Sequence, residues 1–312
     1  MATEYRRIAD QFAARISTGE LPAGDRMPST RQIAREHGVA MATATKVLAA
    51  LQQEGLVTSR PGVGTFVGGV RGAAGTTRGR RPAGRRAGEQ ELTRDAIVRT
   101  AIAVADDEGL GEVSMRRIAS TLGVPTMSLY RHVRGKDGLV LLMIDAAIGE
   151  EPFPASQPQG WRAGLEVTAR MQWRGFTRHP WLAPVMSISR PQLVPNALRH
   201  TEWNLRALDG TGLGFGERMY VNVLLFSFVR GVASALEAET QAERDTGLTS
   251  DEWMDTQGEV LRSMLASGAL ATFRRMTADG AFDFDLDTLF AFGLERLLDG
   301  LEPFVASGGR TG

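Results

Sequence analysis

Cysteine is absent from the 312 residues, lysine occurs only at Lys46 and Lys136, and only four histidines are present. The lack of cysteine excludes disulfides, iron–sulfur clusters and thiolate nucleophiles. The histidines do not have the spacing of a metal-binding helix, so we expect neither a metal ion nor a cofactor. So few lysines also leave little room for Schiff-base chemistry.

Long hydrophobic runs are also missing. The longest, residues 139–144 and the interrupted run 223–229, fall far short of the ~20 apolar residues that a membrane-spanning helix needs. The first residues contain no apolar stretch of the kind found in signal peptides. We therefore expect a cytoplasmic protein with no membrane partner.

The net charge is zero, but the charges are segregated along the chain. Residues 1–150 contain 21 basic and 16 acidic side chains, whereas residues 151–312 contain 15 and 20. A positive first half is typical of a chain that binds a polyanion at one end. Residues 69–91 are rich in glycine and arginine and almost lack large apolar side chains, which predicts a flexible linker.

The first block shows a helix, a helix–turn–helix and a hairpin in that order. Ile8, Phe12 and Ile16 recur every four residues and predict one apolar helix face. Ser29 is suited to cap a short helix over residues 30–37, and a second helix over 42–53 follows. Residues 56–60 and 65–67 flank a glycine-rich turn and predict two strands. This order is typical of a winged helix–turn–helix.

The segments 21–34 (LPAGDRMPSTRQIA), 51–57 (LQQEGLV) and 62–67 (GVGTFV) resemble the GntR-type DNA-binding domain over roughly residues 4–67. The resemblance implies a recognition helix that presents polar side chains to DNA. Many relatives carry arginine early in this helix, where this sequence has Ala40, Met41 and Ala42. Base recognition is therefore expected to be weak. The candidate DNA contacts are Arg31, Thr43, Thr45, Lys46 and Arg60.

The second block contains segments 114–119 (SMRRIA), 122–124 (LGV) and 128–136 (SLYRHVRGK), which resemble the TetR-type helix–turn–helix. The predicted recognition helix is very short and covers residues 127–133. The resemblance implies that Tyr130 and His132 hold phosphates while Thr126 and Arg131 face bases. The candidate DNA contacts are Arg116, Thr126, Ser128, Tyr130, Arg131, His132 and Lys136.

The later segments 179–182 (HPWL), 190–191 (RP) and 292–302 resemble the regulatory core of the tetracycline-repressor branch of that family. The resemblance implies a small-molecule pocket, which is mostly apolar with a few polar groups. Met186 falls where a tetracycline repressor needs a metal-binding histidine, so metal–tetracycline is not expected. His179, before Pro180, is expected to be a structural cap. The candidate ligand contacts are Thr168, Gln172, Trp173, Met186, Ser189, His200, Trp203 and Asn222.

The same resemblance implies a homodimer, because two half-sites on DNA require paired DNA-binding domains. Two helices, residues 217–243 and 287–301, are expected to pair across the two-fold axis as a four-helix bundle. Their apolar stripes fit a dimer interface and the core of a single chain equally well. The candidate interface residues are Leu224, Phe228, Leu289, Phe292, Leu297 and Leu298.

The predicted fold class is mainly all-α, with one small β-hairpin wing. Residues 1–68 are the winged helix–turn–helix domain, 69–91 the linker and 92–150 the TetR-type helix–turn–helix. Residues 151–306 form a helical ligand-binding and dimerisation domain, and 307–312 a disordered tail.

These features predict a ligand-responsive transcription regulator. It is expected to be a repressor that binds double-stranded DNA and leaves the DNA when a small-molecule effector binds. An architectural DNA-binding or bridging protein without a ligand is the alternative. An enzyme is not expected. Although GntR-type domains are also found fused to aminotransferase-like domains, both lysines lie in the DNA-binding segments, and no phosphate loop or catalytic triad pattern is present.

Overall fold

The computed structural model describes residues 4–60, 64–68, 92–266, 269–279 and 284–309. They form two compact units. The first contains the described residues of Met1–Ala83 and Glu239–Asp285, and the second those of Gly84–Ala238 and Leu286–Gly312. Helices dominate both, and one two-stranded sheet is present among the described residues, so the expected fold class is confirmed.

The winged helix, residues 4–67, closes over a small apolar core. Ile8 and Phe12 are buried there, and Ile16 lies on the same face of the first helix. Ser29 caps the second helix through a reciprocal pair of hydrogen bonds with Gln32. The predicted turn at residues 61–63 lies outside the described residues. The elements are α1 (Glu4–Ser17), α2 (Thr30–His37), α3 (Met41–Gln53), β1 (Val57–Arg60) and β2 (Gly64–Val67), with the two strands antiparallel.

The second helix–turn–helix, residues 93–136, follows the predicted capping pattern. Thr93 and Ser114 cap its first two long helices, and Gly123 ends the second in the left-handed conformation at φ 67°. The recognition helix is shorter than predicted. The His132 N–H bonds the Leu129 carbonyl three residues back, so the chain tightens into a turn. The elements are α4 (Arg94–Glu108), α5 (Met115–Leu122), α6 (Thr126–Leu129) and α7 (Gly135–Ile148).

The helical core begins with a long helix whose buried face includes Leu165, Ala169 and Phe176. Another long helix buries Val221, Leu225 and further residues at the same spacing. The first of these two helices is α8 (Trp161–Arg178) and the second is α11 (Phe215–Thr246). Between them lie α9 (Leu182–Val185) and α10 (Pro195–Ala207).

Three short helices follow α11 and belong to the first unit: α12 (Ser250–Thr256), α13 (Gly258–Ala266) and α14 (Ala271–Asp279). No described side chain of α12 or α13 is fully buried. The described side chains of these two helices therefore form no apolar core of their own.

The last helix, α15 (Leu286–Ala306), returns to the second unit. Leu286, Phe290, Leu294 and Leu298 recur every four residues and are buried. Phe290 stacks on Trp173 of α8 with the ring centroids 4.6 Å apart. This stripe joins α15 to the core.

Helix α11 is long and apolar enough to cross a bilayer by length and composition, with a mean hydropathy of 1.6 over an 18-residue stretch that is 28% buried. Uninterrupted apolar runs in the sequence did not indicate this, because polar residues break up the apolar stretch of α11. Core helices of helical domains share the same length and composition. Within the second unit, α11 packs a buried stripe from Val221 to Leu236 against its neighbours.

Candidate DNA interface and effector cavity

The winged helix presents its predicted DNA contacts unevenly. Lys46 is exposed on α3, whereas Thr43 and Thr45 are half-buried. Arg31, in the first turn of α2, faces carboxylates of α12. Arg60 lies on β1, but its side chain is outside the described residues. Among the described side chains of this set, Lys46 is therefore the strongly exposed cation.

The second helix–turn–helix presents a denser polar surface. Arg116, Arg131 and Lys136 are exposed, and Tyr130 is half-exposed. Thr126, Ser128 and His132 are half-buried around them. Tyr130, Arg131 and His132 lie in the turn after α6, not on the helix as predicted.

Met127 was not among the predicted contacts, yet it is 75% exposed on α6, between Thr126 and Ser128. Single apolar side chains are common at protein surfaces, but this one lies on the helix that the motif is expected to present to DNA. Its place on a four-residue recognition helix is the signal that could have identified it.

His179 ends α8 as expected, but its side chain does more than cap the helix. The ring is buried, with Nδ1 2.8 Å from Asp106 Oδ1 and Nε2 3.1 Å from Glu150 Oε2. The Trp181 indole N–H donates to the same Asp106 oxygen at 2.7 Å. Asp106 belongs to α4 and Glu150 follows α7, so His179 ties the core to both outer helices of the second helix–turn–helix.

The charges around His179 favour its protonated form. Burial, the largest single influence, opposes that form, but the hydrogen bonds and charges of Asp106 and Glu150 together raise the pKa of His179 above its ordinary value. Burial also works against the Glu150 carboxylate. His179 and Arg178 outweigh it and lower the pKa of Glu150. The cluster therefore holds opposite charges together.

A cavity of about 250 Å³ lies within the second unit. Side chains of α7, α8, α10 and α11 line it, with the loop after α9, and most are apolar, among them Met171, Phe176, Leu198 and Phe226. Four of the predicted ligand contacts line this cavity: Gln172, Met186, His200 and Asn222.

The other four predicted ligand contacts do not line the cavity. The Trp173 and Trp203 indoles turn away to donate to Asp287 Oδ1 and to the Gly164 carbonyl. Thr168 is buried against the Asn204 amide oxygen and the Leu165 carbonyl. Ser189 is exposed beside the cavity loop. Thr168, Trp173 and Trp203 lie on helices that line the cavity, but each of these side chains hydrogen-bonds elsewhere.

Two buried polar atoms of the cavity wall stand out. Gln172 Oε1 and His200 Nδ1 make no hydrogen bond with the described residues. Burial, with a smaller contribution from Arg199, lowers the pKa of His200 to about 4, so the ring is neutral at physiological pH. Such atoms cost free energy unless something bonds them. No group of three metal-binding side chains occurs in the described residues.

The predicted dimer residues differ in how exposed they are. Leu224, Leu289 and Phe292 are exposed, with Phe292 at 60%. Leu298 is buried in the chain's own core, because it continues the α15 stripe, and Phe228 stacks on Phe290. Leu297 is half-buried.

Two exposed aromatic residues on α11 were missed, Phe215 at 75% and Tyr220 at 81% exposure. Leu224 on the same helix and Phe292 on α15 are also exposed apolar side chains.

Two helix–turn–helix motifs and a helical core with an apolar cavity define a DNA-binding transcription regulator. Residues 153–305 match the tetracyclin repressor-like C-terminal domain, residues 97–143 match the tetR family of bacterial regulatory proteins, and residues 4–67 match the gntR family.

The HTH-type transcriptional repressor DrrR1 of Streptomyces coeruleorubidus is 42% identical over 229 residues, 73% of this chain and 83% of that protein. The chain belongs to the TetR family, and a GntR-type domain precedes the TetR-type part.

Solved structures agree with this assignment. Apo ActR from Streptomyces coelicolor is 30% identical with a TM-score of 0.55, over 70% of this chain and 96% of that one. ActR in complex with actinorhodin is 31% identical with the same TM-score, over 68% of this chain and 96% of that one.

Proposed function

We propose that the protein is a cytoplasmic homodimeric repressor whose second helix–turn–helix binds an operator and whose core releases that operator when a small molecule enters the cavity. The observation that carries this proposal is the pair of buried atoms, Gln172 Oε1 and His200 Nδ1, that lack a hydrogen bond inside an apolar cavity. A structural core gains nothing from such atoms, whereas a ligand site needs them for orientation.

The chemistry of the wall restricts the effector. Gln172 Oε1 can only accept a hydrogen bond, so the ligand must offer an O–H or N–H to it. His200 is neutral, and most of the remaining wall is apolar. We therefore propose an uncharged, largely apolar molecule with hydroxyl or amide donors. ActR, which resembles this chain, binds actinorhodin, so that compound is a suitable first probe.

The cavity is connected to the DNA-binding helices in two ways. Ala147 and Ile148 line it at the end of α7, about 16 Å along that helix from Lys136. Arg178, another wall residue, pairs with Glu150 at 2.9 Å, and Glu150 bonds His179. A ligand that displaces Arg178 would therefore weaken the contact between the core and Asp106 of α4.

This arrangement supports release by a change in α7 and α4. A shift of either helix would alter the spacing of the two recognition helices in a dimer. A coupling free energy of ~1–3 kcal/mol is enough to lower DNA affinity 5- to 150-fold. An architectural protein without a ligand would not need this cavity.

The test uses duplex DNA from upstream of the protein's own gene, with actinorhodin as the probe. Fluorescence anisotropy would follow DNA release as the probe is added. We expect release by the unmodified chain. Gln172→Leu should require about fivefold more probe, because it removes a hydrogen bond of ~1 kcal/mol while keeping an apolar wall.

The matched control is Gln241→Leu, which alters an exposed glutamine of α11 outside the cavity. It should respond like the unmodified chain. If neither actinorhodin nor a panel of uncharged, hydroxylated aromatic compounds releases DNA, or if Gln172→Leu responds like its control, the proposed site is wrong.

A further inference from the structure

The segment from Glu239 to Glu259 is strongly acidic. It contains seven acidic side chains and one basic one, Arg244, whereas residues 4–67 contain eight basic and six acidic side chains. Both belong to the first unit. Burial, with smaller contributions from the charges of Glu239 and Glu252, raises the pKa of Glu243. This acidic segment therefore keeps its negative charges together at some cost.

Helix α12 directs part of this charge at the winged helix. Thr249 caps α12 through a reciprocal pair of hydrogen bonds with Glu252, which sets where the helix begins. Asp251 and Asp255 are then four residues apart and lie on one face. Arg31 lies opposite this face, with Nη1 3.8 Å from Asp251 Oδ1 and Nη2 3.5 Å from Asp255 Oδ1.

A second contact lies at the base of the wing. Arg26 Nη1 is 2.8 Å from Asp285 Oδ1, and a β-bridge pairs Arg26 with Phe66 of β2. Its guanidinium also lies against Gly64, where an added Cβ would come within 2.7 Å of Arg26 Nε. Carboxylates thus face one arginine at the start of α2 and one at the wing.

Arg31 is a predicted DNA contact in the first turn of α2, and Arg26 lies beside the wing strand β2. A guanidinium binds a carboxylate or a phosphate with the same planar set of donors, so it cannot serve both at once. Partly exposed ion pairs of this length are weak and can be exchanged. The carboxylates therefore pair with the arginines in place of DNA phosphates, and these ion pairs are weak enough for DNA to break.

We propose that Asp251, Asp255 and Asp285 form an intramolecular substitute for DNA on the winged helix, and that DNA must displace them to reach Arg31 and Arg26. The winged helix would then bind weakly to stray DNA. It would engage when the second helix–turn–helix has already brought DNA close and raised its local concentration. This inference concerns the winged helix alone and does not depend on the effector cavity.

The first test compares Asp251→Asn/Asp255→Asn with Glu202→Gln/Glu259→Gln in the full chain. Both pairs remove two negative charges, and the control carboxylates are exposed and outside the Arg31 contact. Both are measured in an Arg131→Ala background, which weakens the second helix–turn–helix. The probe is a 30-base-pair duplex of mixed sequence, roughly three helical turns.

We expect the Asn pair to bind this duplex about three- to tenfold more tightly than its control, as the loss of two weak ion pairs implies. Adding Arg31→Ala to both should remove the difference. Equal affinity of the two pairs, or weaker binding by the Asn pair, would overturn the proposal.

The second test measures the contact directly and does not depend on the Asn variants folding. Because the chain has no cysteine, Glu36→Cys on α2 and Thr256→Cys on α12 supply the only sites for spin labels, and both positions are exposed. Labelled protein is diluted with unlabelled protein, so that distances within one protomer dominate. At low salt and saturating duplex, we expect the label distance to lengthen. A distance that stays the same would contradict displacement by DNA.

Discussion

The two helix–turn–helix motifs of this chain differ in how exposed and how paired their basic side chains are. In the second, Arg131 and Lys136 are exposed, and the buried ring of His179 holds the motif to the core through Asp106 and Glu150. In the winged helix, Arg31 is occupied by α12 carboxylates, and Lys46 is the strongly exposed cation on α3. The difference teaches that two motifs of one class in one chain need not be equally ready to bind DNA.

The largest effect is expected from the second motif. Arg131→Ala should weaken binding to DNA from upstream of the gene by about 5- to 150-fold, because a base-facing arginine contributes ~1–3 kcal/mol. Anisotropy titrations at fixed salt would measure this. Arg170→Ala, an exposed arginine paired with Glu166 on α8, is the matched control and should have little effect. Equal affinities for the two would remove Arg131 from the interface.

The next effect concerns the attachment of that motif to the core. His179→Gln should lower the free energy of unfolding by roughly 1.5–3 kcal/mol at pH 6, the range for hydrogen bonds to charged groups. The folded-state pKa of His179 is raised, so its stabilisation is complete below its ordinary pKa of 6.5 and declines as the pH rises through the folded-state value.

Urea unfolding at pH 6 and pH 8.5, followed by circular dichroism, would measure this difference. The gap between the unmodified chain and His179→Gln should narrow at the higher pH. A gap that widens with pH would show that the neutral ring is the stabilising form.

A smaller effect is expected from the winged helix. Lys46→Ala should weaken binding by a few-fold and reduce the slope of log affinity against log salt by ~1, the signature of one lost phosphate contact. Footprints of the two proteins at one salt concentration would add a spatial check. If both motifs bind neighbouring sites, protection at the outer edge should weaken selectively. An unchanged slope and footprint would leave the second motif to define the operator alone.

The smallest effect is expected from Met127→Ala. The side chain is 75% exposed, and we propose that it contacts a thymine methyl group or sugar when DNA is bound. The loss should be about threefold or less, with an unchanged salt slope because no charge is removed. Met276→Ala on α14, a methionine that is 70% exposed and lies outside the cavity lining, serves as the control. A change in salt slope would argue against an apolar contact.

Much of the local structure could be predicted from the sequence. Ser29, Thr93 and Ser114 cap the helices that their spacing predicted, and Gly38 and Gly123 end two of them in the left-handed conformation. These features depend on residues within one turn of each other, and short-range sterics and hydrogen bonds decide them. The resemblance to two families also identified the correct order of motifs.

The cavity was only half predictable. Gln172 and Trp173 are adjacent in the sequence, and both were predicted to contact the ligand. Gln172 lines the cavity, whereas the Trp173 indole donates to Asp287 of α15, more than a hundred residues later. The buried face of a helix is encoded locally, whereas the neighbour that each buried side chain meets is not.

The sequence by itself determined where the capped helices begin, which faces are apolar and which families the motifs resemble, because neighbouring residues set all of these; the early end of α6 at Leu129 was not determined in this way. The tertiary structure alone decided that His179 joins Asp106 to Glu150 and that Asp251 and Asp255 face Arg31. Those contacts join residues far apart in the chain, and a carboxylate has no preferred partner until folding brings one within a few ångströms.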